Sequence, residues 1–229
     1  MRLSYVTLFE GLIASYFEDS ILKRAIAKKL LFVDFFNPRD FTTNKHGKVD
    51  DYQASGGAGL VFFPQPLFSL LRDIKEKSPH AYIIFPTPSG KLFTQKDAKR
   101  LAQKEHLVFV SGRYEGIDAR LEELCPIESV SVGDFVLNGG ETGALCLIES
   151  VGRLIPDFMG KDESADEESF SSGLLEYPHY PRPATWEGRT IPEVLRSGDH
   201  AKIAAWRRAE AERLTAERRP DLLRRAGQP

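Results

Sequence analysis

The chain has 229 residues, of which 41% are hydrophobic and 28% charged, and its formal net charge is −2. This length suits one large domain, or a domain with a smaller appendage, and the composition is that of an ordinary soluble globular protein. The near-neutral charge excludes a uniformly basic nucleic-acid binder.

Residues 3–8 read as a buried strand opening the domain. Over 11–29, Leu12, Ile13, Phe17, Ile21, Leu22 and Ile26 recur at helical spacing and the stretch ends in two lysines, which predicts a helix. A second strand is expected over 31–36, stopped by Asn37-Pro38. Residues 42–59 (TTNKHGKVDDYQASGGAG) are polar and glycine-rich and predict a long loop, a kind that is usually functional or disordered. A helix follows over 66–77. Three short apolar runs, 81–85, 107–111 and 129–132, predict further strands, with helices over 94–104 and 142–153. Strands alternating with helices predict an α/β fold with a mostly parallel sheet, whose ligands bind outside the carboxyl ends of the strands.

Composition then shifts. Residues 161–169 carry five acids against one lysine, so 161–173 is expected to be a flexible acidic linker between a domain over 1–160 and a helical one over 174–229. PHYPRPATWEG reads as extended, and 191–223 as helical with a break and cap at Ser197-Gly198-Asp199. From Arg182 onward there are 11 Arg/Lys against 7 Asp/Glu. Cys125 and Cys146 form no C-x-x-C pair and the five histidines are scattered, so neither a zinc site nor a disulfide framework is expected. Glu10, Glu18 and Asp19 interrupt the apolar N-terminus, which is read as neither a signal peptide nor a membrane span. Together these features point to the cytoplasm.

Three small-residue turns stand near predicted strand ends: PTPSG (86–90), SGRYEG (111–116) and SVGDFVLNGG (131–140). None has the spacing of a phosphate-cradling loop, and no lysine stands next to the glycines of SGRYEG or SVGDFVLNGG. Turns that converge on one sheet edge form a pocket lined by backbone N–H and C=O groups, suited to an adenine edge. Connecting turns without a ligand remain the alternative.

The runs NPRDFTTNKHGKVDD, SGRYEGIDARLEE, SVGDFVLNGGE, SVGRLIPDFMG, SFSSGLLEYPHYPRP and RRPDLL resemble, in the same order, the bacterial tRNA (guanine-N1)-methyltransferase family. This family belongs to the trefoil-knot class (SPOUT) of S-adenosylmethionine-dependent methyltransferases. The resemblance spans about Tyr5 to Leu223. It implies a parallel-sheet domain ending in a deep trefoil knot, a small all-α C-terminal domain, and a homodimer with active sites at the subunit interface. It also implies methyl transfer to N1 of the guanosine 3′ of the anticodon (position 37), with Mg²⁺ assisting.

The resemblance assigns the cofactor pocket to Pro86, Thr87 and Pro88, then to Gly112, Tyr114, Glu115 and Gly116. Ser131, Val132, Gly133, Phe135, Leu137, Gly139 and Gly140 complete it. Glu115 would stand near the cofactor's amino or sulfonium charge. Arg153 matches the arginine that stabilises charge developing on the guanine oxygen. The proton on N1 needs a base. The family has an aspartate in a DSF run where this chain has Glu168-Ser169-Phe170, so Glu168 is the expected base. Asp166 or Glu167 could serve if the register differs, and a slow or inactive protein is the third reading. Two further departures are Ala54–Leu60, in place of a tyrosine and a glycine run, and Thr142-Gly143, in place of Leu-Pro.

His46, Asp50, Ser164 and Arg182 match positions linked to tRNA, and the basic C-terminal helices offer a phosphate-binding face to the anticodon arm. Arg/Glu alternation in AWRRAEAERLTAERR equally suits a solvated helix. Two other functions fit the same residues: a tRNA-binding protein that holds cofactor without catalysis, and a knotted methyltransferase with another RNA target.

Overall fold

The computed structural model describes residues 1–54, 56, 59–159 and 168–226. The chain divides into two compact units, Met1–Gly160 and Lys161–Pro229.

The first unit is built on a five-stranded parallel sheet. Its strands are β1 (Arg2–Val6), β2 (Phe32–Phe36), β5 (Tyr82–Leu92), β6 (His106–Val110) and β7 (Ile127–Ser131), in the order β2-β1-β6-β5-β7. Side chains alternate across a strand, so each central strand feeds two cores. Leu3, Tyr5, Ile84, Leu107 and Phe109 face one side, packed with α1 (Ser20–Ala27), α3 (Gln95–Leu101) and α5 (Gly140–Gly152). Val6, Ile83, Phe85, Val108 and Val110 face the other, packed with α2 (Pro64–Lys77) and α4 (Arg120–Leu124). Burial on both faces explains why these strands are continuous apolar runs. Phe109 is fully buried, and truncating such a side chain to alanine costs about 3–5 kcal/mol.

The helix expected over 11–29 is broken. Two 3₁₀ turns, Glu10–Leu12 and Ala14–Glu18, precede α1. The break falls where Asp19 caps α1 by accepting a hydrogen bond from Ser20 N at 2.6 Å. The long loop contains structure as well. β3 (Asp50–Tyr52) pairs antiparallel with β4 (Leu60–Phe62) into a hairpin. PTPSG is not a separate turn; it lies within β5, where the register with β7 shifts between Pro86 and Lys91.

The second unit has a small core of Leu174, Ala211, Leu214 and Thr215. It contains α6 (His200–Arg218) and α7 (Pro220–Ala226), and Asp199 caps α6 by accepting from Lys202 N at 3.1 Å. It differs from an all-helical unit by a short hairpin, β8 (Thr185–Trp186) with β9 (Arg189–Thr190). Among the described residues no helix is long and apolar enough to cross a membrane.

Candidate active site

A cavity of about 220 Å³ opens at the carboxyl ends of β5, β6 and β7, small beside the ~300–1,000 Å³ of most ligand clefts. Three segments line it: 85–88 from the irregular part of β5, 112–116 after β6, and 131–140 between β7 and α5. It is lined by all fourteen residues assigned to the cofactor pocket by resemblance. It is also lined by Phe85, Arg113, Val136, Asn138 and Gly143, which that assignment omitted.

The walls are held by short-range bonds. Ser131 Oγ donates to Gly133 O (3.0 Å) and accepts from Gly133 N (3.2 Å), which tightens the turn leaving β7. Tyr114 sits at φ 58°, a strained value for a residue with a side chain, of the kind that clusters at ligand sites. Gly140 N donates to Gly112 O at 2.9 Å, joining the third wall to the second. Gly140 cannot be larger, because a Cβ there would lie 2.8 Å from Ser111 Cα and 2.9 Å from Gly112 N. Gly139 is constrained differently. Its Cβ would meet charged side chains, with Glu141 Oε2 at 2.5 Å and Arg113 Nε at 2.6 Å.

Those two side chains form an ion pair at the cavity wall. Arg113 Nε donates to Glu141 Oε1 (3.1 Å) and Nη2 lies 3.0 Å from Oε2, while Thr7 Oγ1 also donates to Oε1 (2.8 Å). Glu141 is only 2% exposed. The sequence signal that could have found the pair is a charged residue in each of two small-residue turns: Arg in GRYEG and Glu in GGE.

The hairpin β3–β4 closes on the second wall. Glu115 N donates to Leu60 O (2.9 Å), Phe62 N to Gly116 O (3.0 Å), and Asp118 N to Phe62 O (3.2 Å). The Asp118 carboxyl is held below the usual range by its bonds from Arg120 at 2.9 and 2.6 Å. Burial, and then the Asp50 carboxylate, raise the Tyr114 phenol above its ordinary pKa, so one residue expected at the tRNA site acts at the rim of the cavity. His46 is exposed on the loop before β3, where its backbone N donates to Asn44 Oδ1 (2.9 Å).

The other expected residues lie elsewhere. Arg153 caps the far end of α5, whose first residue, Gly140, lines the cavity. Thirteen helical residues span roughly 20 Å. Within one chain, therefore, the structure does not bring Arg153 to the cavity. Glu168 lies in the second unit, at the start of a compact turn: Ser171 N donates to its carbonyl (3.1 Å), and Phe170 N donates to Leu174 O (2.7 Å). Ser164, Asp166 and Glu167 are outside the described residues, as are Ser55, Gly57 and Ala58. Arg182 is exposed in the second unit beside a cleft shared with Tyr177, Tyr180 and Arg207, and the Arg207 guanidinium lies 4.8 Å over the Tyr177 ring. Along α6, Arg213 pairs with Glu210 (2.7 Å) and Glu217 (3.1 Å), and Arg208 pairs with Glu212. That face of the helix is a self-paired surface rather than an open row of cations.

An open parallel sheet with a glycine-lined cavity at its carboxyl edge is the architecture of a ligand-binding α/β protein. The family model of tRNA (Guanine-1)-methyltransferase TrmD matches residues 1–225, and the chain belongs to that family. Curated relatives named tRNA (guanine-N(1)-)-methyltransferase agree. One from Oleidesulfovibrio alaskensis is 51% identical over 226 residues, covering 99% of this chain and 52% of its own. One from Clostridioides difficile is 46% identical over 230 residues, covering both chains in full. One from Campylobacter curvus is 49% identical over 225 residues, covering 98% of this chain and 95% of its own. The chain thus spans about half the length of the Oleidesulfovibrio relative and the whole of the Clostridioides one.

Proposed function

We propose that the chain is an S-adenosylmethionine-dependent tRNA methyltransferase acting on N1 of the guanosine 3′ of the anticodon, as a cytoplasmic homodimer. The observation that carries this reading is the cavity that GRYEG and SVGDFVLNGG line together with the irregular part of β5. Its fit to the cofactor rests on shape and chemistry: glycines without room for a Cβ, backbone amides and carbonyls for an adenine edge, and no phosphate-binding lysine. The cofactor supplies an electrophilic methyl group on a sulfonium. The chain's task is then to hold guanine N1 in line with that methyl and to take the N1 proton. Glu168 takes the proton, and Arg153 steadies the charge on the guanine oxygen. The close passage of Gly140 against Ser111–Gly112 supports reading the third wall as part of a trefoil knot.

The span of α5 supports a dimer. If Arg153 acts at a cavity, the length of α5 favours the cavity of a second copy, which supports reading the complete site as one between subunits. Exposed apolar residues beside the cavity (Phe135, Val136 and Leu137) and on the N-terminal turns (Phe9, Leu12 and Tyr16) give such a copy a surface to cover. Among the described residues no group of three or more His, Cys, Asp or Glu could hold a metal ion.

The deciding experiment is methyl transfer from labelled S-adenosylmethionine to tRNA transcripts carrying guanosine or adenosine at the target position. Incorporation that requires the guanosine is expected. Incorporation into both overturns the assignment of the base, and cofactor and tRNA binding without incorporation leaves a non-catalytic binder.

A further inference from the structure

We infer that Arg113 and Glu141 are positioning residues for the cofactor: as a buried ion pair, they clamp two walls of the cavity at a fixed spacing. This rests on the S-adenosylmethionine reading of that cavity.

The chemistry of Glu141 comes first. It is 2% exposed in the first turn of α5, where unpaired backbone N–H groups and the helix dipole favour an anion. A buried carboxylate also needs partners, and here they come from two other elements. Thr7, just past β1, donates one bond at 2.8 Å. Arg113, 28 residues earlier in the second wall, supplies a planar fork. Its Nε donates to Oε1, its Nη2 lies 3.0 Å from Oε2 as a charge contact rather than a hydrogen bond, and its Nη1 donates to Asn138 O in the third wall at 3.3 Å.

One guanidinium therefore ties together the wall it belongs to, the carboxylate that opens α5, and the backbone just before Gly139. Thr7 also accepts from Phe9 N at 3.0 Å, and the Phe9 ring lies 4.6 Å from the Arg113 guanidinium. The fork is thus packed from outside as well as bonded within. Gly139 has a defined part in this arrangement, since a side chain there would displace both charges. The geometry of the pair fixes how far 112–116 stands from 137–140, which is the dimension a bound adenosine would sense.

The test uses the full chain with S-adenosylhomocysteine as calorimetric probe, the ligand-free melting temperature, and steady-state kinetics. The variants are Arg113→Lys, which keeps the charge but loses the fork, Glu141→Gln, and the double variant. The singles are expected to melt cooperatively and to bind the probe about tenfold or more weakly, the scale on which supporting hydrogen bonds act on a site. KM for S-adenosylmethionine should rise more than kcat falls. The double variant should lose no more than the poorer single, because one interaction is removed either way. Wild-type affinity in folded singles, a lowered melting temperature with unchanged affinity, or losses that simply add in the double variant each overturn the proposal. If Glu141→Gln does not fold, Arg113→Lys and Thr7→Val carry the same comparison. A wild-type chain with no affinity for the probe overturns the cofactor reading, and this proposal with it.

Discussion

The Asp50 carboxylate of strand β3 acts on the Tyr114 phenol in the second wall of the cavity. Burial, and then the Asp50 carboxylate, hold the phenol above its ordinary pKa, so it stays a protonated donor at working pH. Tyr114→Phe and Asp50→Asn should each raise KM for tRNA by about threefold to tenfold, with the smaller figure favoured because the ring is half exposed. KM for S-adenosylmethionine should move less, and the double variant should behave like either single. Steady-state titration of each substrate reads this directly.

The placement of Arg153 gives a complementation experiment. Arg153→Ala and Glu115→Ala homodimers should each be nearly inactive. Mixed and allowed to exchange subunits, they should recover about a quarter of wild-type activity, because half the dimers then carry one intact site built from two chains. If Arg153 served its own chain's cavity, mixing would restore nothing.

Glu168→Gln keeps the size of the side chain and removes its basicity. Turnover should fall by about 10²–10⁴, the usual contribution of a positioned general base. Turnover at the wild-type level would rule out Glu168 as the base. Glu168→Asp should retain far more activity than Glu168→Gln, since the intrinsic carboxyl pKa values of Asp and Glu are close.

His106 makes stability depend on pH. It is buried, with Nε2 2.8 Å from Ser4 Oγ and Nδ1 2.9 Å from Ser78 Oγ. Burial, and then the nearby Arg2 charge, push its pKa below the ordinary 6.5, with Asp34 opposing. The folded state therefore holds neutral imidazole, while the unfolded chain takes up a proton near pH 6.5. Its contribution is complete above that pH and is lost as pH falls toward the lowered folded value. Thermal melts should show the loss on going from pH 7.5 to 5.5, with a shallower dependence in His106→Gln.

The centre of the sheet was legible because β6 and the first half of β5 are buried on both faces and so appear as apolar runs, such as HLVFV at 106–110. The hairpin β3–β4 was not, because a strand such as DDY, which contributes little to the core, carries no hydrophobic period. The 11–29 stretch misled because 3₁₀ turns and an α-helix both place apolar residues three or four apart, and Asp19 then acts as a cap rather than an interior residue. PTPSG has the composition of a turn, yet the pairing of β5 with β7 resumes beyond it. At the cavity, the glycines announced the walls. The clamp between them was hidden, because spacing along the chain says nothing of which Arg meets which Glu across 28 residues.

α5 begins with the glycine that seals the cavity and ends at Arg153. On the proposed role of Arg153, the helix's number of residues is itself an active-site dimension. Inserting or deleting one would swing Arg153 by about 100° around the helix axis and shift it by about 1.5 Å. Such a change would leave every side chain named here intact, yet it would aim the arginine away from its target.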